Sequence, residues 1–75
     1  MISYKPLFKL LVDRDMSVSD LWKAAGISPN TMTKIRHNEE VSMSVLSKIC
    51  KTLGVSYGDI VEYIPIDNAT TLNKV

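Results

Sequence analysis

Side chains able to do covalent or acid–base chemistry are few in this sequence of 75 residues. His37 and Cys50 are each single copies, and no glycine-rich loop accompanies them. No set of nucleophile, base and orienting group can be assembled from them, so no enzymatic activity, catalytic residue or cofactor is expected. The lone Cys50 excludes an intramolecular disulfide, and without a CxxC or Cys/His cluster no metal site is expected either. It reads as a small core residue in a reduced, cytoplasmic setting. What remains is the stretch Leu21 to Asn38, which holds Lys23, Asn30, Thr31, Thr33, Lys34, Arg36 and His37 and no acid. Such donors bind phosphate oxygens or base edges, although the same residue types also make an ordinary solvated helix face. The formal net charge is only +1, and Asp59, Glu62 and Asp67 gather at the other end of the chain against the single Lys74. A locally basic middle beside an acidic end suits a protein that turns one face to phosphate.

The elements that must position these residues are clearly punctuated. Pro6 suits the first turn of a helix, and Leu7, Leu10, Leu11 and Val12 follow as its apolar stripe to about Arg14. Ser17 and Asp20 form a capping box for a second helix that ends at Gly26. Ser28-Pro29 caps a third, with Met32 and Ile35 facing inward and Asn38 as its stop. Ser42 opens a fourth, with Val45, Leu46, Ile49, Cys50 and Leu53 on one stripe and Gly54 as its end. Ser56 and Asp59 start a short fifth helix through Ile60 and Val61 to about Glu62. Met16, Met32 and Met43 stand at packing positions. Ile2-Ser3-Tyr4 and Tyr63 to Ile66 are β-prone and able to pair, with Pro65 restricting the latter to an extended edge.

The spacing between the second and third helices matters most for function. An eight-residue helix, a glycine, an apolar residue, a capping serine and another short helix give a helix-turn-helix connection. Leu21, Ala25, Ile27, Met32 and Ile35 hold its two helices together, leaving Pro29, Asn30, Thr31, Thr33, Lys34 and His37 outward. The elements from Ser17 to Leu21, Ala25 to Ser28, Asn30 to Ile35, Val41 to Leu46, Ile49 to Gly54, and Asp59-Ile60 together resemble the XRE/Cro family of lambda-repressor-like domains. The likeness runs from about Tyr4 to Pro65, and it is carried by order and spacing, since no single motif is specific.

That resemblance implies an all-α, five-helix DNA-binding domain with a short extended C-terminal segment, acting as a transcriptional repressor on duplex DNA. It places base contacts at Pro29, Asn30, Thr31, Thr33 and Lys34. Asn30 has the amide to read adenine, Lys34 can donate to guanine, and Thr33 can meet a thymine methyl or a phosphate. Phosphate contacts fall at Ser17, Val18, Ser28, Arg36, His37, Asn38 and Ser44, several of them at helix starts, whose free N–H groups attract anions. The chain departs from the family at Trp22, where a small residue is usual, so its ring should lie partly exposed. It also departs at Leu11 and Arg36, where many members pair an arginine with a glutamate, so Arg36 should turn to solvent or phosphate.

One domain over residues 1–66 and a flexible polar tail over 67–75 are expected. No signal peptide, membrane span or small-molecule substrate is expected. One recognition helix reads few base pairs, so a homodimer on DNA is expected, with Ile60 to Ile66 contributing or folding back on its own domain. The near-neutral charge leaves one rival of another class: a protein–protein interaction module of the same fold, antitoxin-like or an anti-repressor partner.

Overall fold

A computed structural model describes residues 1–65. Along the chain run β1 (Ile2–Ser3), α1 (Lys5–Asp13), α2 (Val18–Ala25), α3 (Pro29–Arg36), α4 (Met43–Leu53), one 3-10 turn (Tyr57–Asp59) and β2 (Glu62–Tyr63). The boundary at Ile66 and the tail at 67–75 lie outside the described residues.

Side-chain caps start three of the four α-helices. Ser17 Oγ accepts from the Asp20 N–H at 3.0 Å while the Ser17 N–H donates to the Asp20 carboxylate at 3.2 Å. Ser28 and Ser42 accept from Thr31 and Val45 N–H groups at 3.1 and 3.3 Å. Each hydroxyl satisfies one of the donors that a helix start leaves free. Gly26 and Gly54 end α2 and α4 at φ 71° and 68°, a left-handed conformation that costs glycine little.

Tyr4, Leu7 and Leu11 of the N-terminal segment pack against Leu21, Ile27, Met32 and Ile35 of the helix-turn-helix, with Leu46, Ile49, Leu53 and Ile60 completing the core. Two ties lock it across long sequence separations. The buried Tyr4 donates its hydroxyl to the Glu39 carbonyl at 2.9 Å and its backbone N–H to Asn38 Oδ1 at 3.0 Å. Burial also raises the Tyr4 hydroxyl above its ordinary pKa. Arg14 donates to the Leu53 carbonyl at 2.6 Å, a cation at the C-terminal end of α4 where the helix dipole favours it.

The all-α, five-helix expectation needs correction. The segment after Ser56 makes a single 3-10 turn, even though the Ser56–Asp59 capping box forms. Gly58 is a poor helix former, and β-prone residues follow at once. The chain instead turns back, and β2 pairs antiparallel with β1, Ile2 opposite Tyr63 and Ser3 opposite Glu62. Ile60 is fully buried in its own domain, whereas Tyr63 and Ile64 stay exposed.

Two packing expectations fail as well. Val12 is 76% exposed because it continues the solvent face of Lys5 and Lys9, one step round from Leu11. Met43 is 58% exposed as the first residue of α4, ahead of the buried stripe at Leu46, Ile49 and Leu53. Cys50 lies at the core's margin, its thiol pKa raised by partial burial and then by the charge of Asp59.

Candidate nucleic-acid interface

Trp22's carbonyl accepts from both Gly26 and Ile27 N–H groups, at 3.0 and 3.1 Å, closing α2 within one residue. Ile27 then plugs the core and Ser28 starts α3. Met32 and Ile35 anchor the inner side of α3, while Pro29, Asn30, Thr33, Lys34, Arg36 and His37 are all exposed and Thr31 is half-buried. Trp22 is half-buried against the core, and the Lys23 ammonium stands 5.7 Å from its ring centroid. The ring therefore fits beside the motif without displacing α3 from the Ile27–Met32–Ile35 packing. Arg36 is exposed, as the missing ion-pair partner at Leu11 implies.

The hydrogen bonds sort the outward face further. Thr33 donates its hydroxyl to the Pro29 carbonyl at 3.0 Å, and Thr31 shares its hydroxyl with Ser28 Oγ at 3.0 Å. Both threonines thus use their polar atom inside the helix. Asn30, Lys34, Arg36 and His37 keep their side-chain donors unengaged among the described residues. A shallow groove of about 470 Å³ lies beside α3, lined by Thr31, Lys34, Glu40, Val41, Ser42 and Val45. The sequence pattern does not assign Glu40 or Ser42 to this face. They sit in a loop without periodicity, and only the fold brings them to Lys34.

The helix starts are not equivalent as anion sites. At α2 the Asp20 carboxylate already occupies the position, held below the usual carboxylate pKa first by the Ser17 backbone N–H and then by its hydroxyl. That carboxylate opposes a phosphate beside Ser17 and Val18. No acid lies in the first turn of α3 or α4, which favours phosphate at Ser28 and Ser44 by comparison. Asn38 has φ 58° and its Oδ1 is taken by Tyr4, so only its amide donors face outward chemistry. Asn38→Ala should therefore destabilise the domain by roughly 2–3 kcal/mol, from the left-handed backbone and the orphaned Tyr4 N–H. Chemical denaturation checks this, with Asn38→Gly expected to lose less because glycine tolerates the backbone.

With this geometry in place, comparison with known proteins is decisive. Residues 7–65 match the family model of the Cro/C1-type HTH DNA-binding domain. The chain belongs to that family. The crystal structure of the transcriptional regulator VanUg superposes with a TM-score of 0.83, at 46% sequence identity and over 87% of each chain. No curated protein matches. In this Cro/C1-type domain α2 and α3 are the helix-turn-helix pair. Among the described residues no group of His, Cys, Asp and Glu could hold a metal, and no helix is long and apolar enough to cross a membrane.

Proposed function

We propose that this Cro/C1-type domain is a sequence-specific transcriptional repressor that sets α3 into the major groove of duplex DNA. The observation that carries the reading is the acid-free outward face of α3, where Asn30 and Lys34 keep their donors available one helical turn apart. Asn30 reads an adenine edge and Lys34 a guanine edge. Pro29 and Thr31 pack against the neighbouring base edges. Phosphates are held by Ser28, Arg36, His37, the Asn38 amide and Ser44, with the starts of α3 and α4 the main anchors, while Ser17 and Val18 hold one only weakly against the Asp20 carboxylate. A domain seated in a promoter's major groove excludes polymerase, which is why repression is the sense proposed. Two copies on a palindromic site supply the specificity that one recognition helix lacks. The regulator VanUg is similar over most of its length, which supports the regulatory reading.

Selection of bound sequences from random duplex tests it, with a defined two-fold motif as the expected outcome. Enrichment of no motif would contradict it and favour a protein–protein module on the same fold.

The Thr33 bond makes a sharper point of specificity. With its hydroxyl turned to the Pro29 carbonyl, Thr33 offers the groove its methyl group, which suits a thymine methyl. Replacing the contacted thymine by uracil should weaken binding roughly fourfold, the worth of one buried methyl-sized group. Thr33→Val should keep that discrimination and Thr33→Ser should lose it. Equal binding of thymine and uracil duplexes by the parent protein would exclude the contact.

A further inference from the structure

We propose that Glu40 is a specificity-determining residue that reads the cytosine of the base pair whose guanine Lys34 reads. This rests on the DNA-binding reading above and adds a side chain from outside α3 to the set that reads bases. Glu40 lies in the loop after α3 and lines one groove of about 470 Å³ with Thr31 and Lys34 of α3 and with Val41, Ser42 and Val45. Lys34 and Glu40 are both exposed, and neither side chain has a hydrogen-bond partner among the described residues. One groove beside the reading helix therefore presents an unengaged ammonium and an unengaged carboxylate.

The core holds the loop on either side of Glu40. The buried Tyr4 hydroxyl donates to the Glu39 carbonyl at 2.9 Å, and the Val41 N–H is directed at the same oxygen. The Tyr4 N–H is bonded in turn to Asn38 Oδ1 at 3.0 Å. The backbone before and after Glu40 is thus tied to a core residue, although the loop has no regular structure. A carboxylate carried on a fixed segment loses less freedom on binding than one on a free loop.

Base chemistry decides what that carboxylate can take. An ionised carboxylate only accepts hydrogen bonds, and the amino donors of the major groove are cytosine N4 and adenine N6. A G·C pair sets guanine O6 and N7 beside the cytosine amino group, which complements an ammonium and a carboxylate sharing one groove. An A·T pair lacks the two adjacent acceptors that Lys34 uses. Phosphates repel the carboxylate. Glu40 therefore weakens binding to every duplex and recovers the loss only where a cytosine amino group faces it. An unfavourable contact with the wrong partner gives specificity in this way.

The test uses the full chain and the selected operator, at the base pair where Lys34→Ala relaxes selection. The cytosine of that pair is replaced by pyrimidin-2-one, which lacks only the 4-amino group. The parent should bind the altered duplex roughly fivefold or more weakly. Glu40→Ala should bind the two duplexes within about twofold of each other, whereas Glu40→Gln, which keeps an acceptor oxygen, should retain discrimination. On random duplex both variants should bind roughly twofold to fivefold more tightly than the parent, because both lose the charge. The split between alanine and glutamine separates base reading from charge repulsion, which moves both variants alike. Equal discrimination by the parent and Glu40→Ala overturns the proposal, and so does a pair other than G·C at the position that Lys34→Ala relaxes. Failure of the parent to bind the selected operator overturns the DNA reading beneath it.

Discussion

Leu46→Ala is expected to destabilise the domain by roughly 2–5 kcal/mol, the range for truncating a buried leucine that leaves a cavity. Leu46 is 8% exposed and packs from the middle of α4 into the cluster with Leu21, Ile35 and Ile49. α4 packs against α2, so loosening it loosens the helix that supports α3. For a domain of this size each kcal/mol moves the melting temperature by about 4–8 °C, so Tm should fall by about 8 °C or more. A small chain buries only about 60% of its unfolded surface and has little reserve. A loss at the upper end of the range would leave much of the population unfolded. Thermal unfolding followed by circular dichroism checks this, and a Tm within about 2 °C of the parent would show that the core does not depend on this helix face.

Asn30→Ala and Lys34→Ala should each weaken binding to the selected operator by roughly 1–3 kcal/mol, about fivefold to 150-fold in Kd. Both residues are exposed and take no part in the core, so melting temperature should stay near the parent's. The two losses should also differ in kind. Asn30→Ala should relax selection at one base pair, whereas Lys34→Ala should also flatten the salt dependence if its ammonium neutralises a phosphate. Fluorescence anisotropy on the operator and on single-base variants separates these effects. Unchanged binding by both variants would remove α3 as the reading element.

Local chemistry made much of this domain legible before its structure. Ser17, Ser28 and Ser42 cap, Gly26 and Gly54 stop, and Pro29 opens α3, because each solves a problem that arises within four residues of itself. The pairing of Ile2-Ser3 with the C-terminal side was also foreseeable from β-prone composition at both ends, although the strand lies at Glu62–Tyr63 and takes in a residue expected to end the fifth helix. The failures share a different cause. The helix expected through Glu62 reduces to one turn because Gly58 and the following β-prone residues outweigh the Ser56–Asp59 cap. Val12 looked like part of a stripe because it adjoins Leu11 in sequence, yet neighbours on a helix point about 100° apart.

Ties across the fold were beyond local pattern. Tyr4 with Asn38 and Glu39, and Arg14 with Leu53, join residues more than thirty positions apart. The outward face of α3 could be read from spacing alone, but not the division of labour within it. That Thr31 and Thr33 spend their hydroxyls inside the helix follows from hydrogen bonds that the residue order does not specify.

The central claim, that α3 and its flanking helix starts bind duplex DNA, is tested most directly by the salt dependence of affinity for the selected operator. Neutralising phosphates releases counterions, so log Kobs should fall linearly with log salt by about 0.9 for each phosphate neutralised by a lysine or arginine. A single copy holding phosphate through Arg36, with Lys34 beside it, should give a slope of roughly −1 to −2, steeper for two copies on a palindrome. Specific binding on that slope is the predicted result. Affinity independent of salt, or no binding to the selected duplex at low salt, would contradict it.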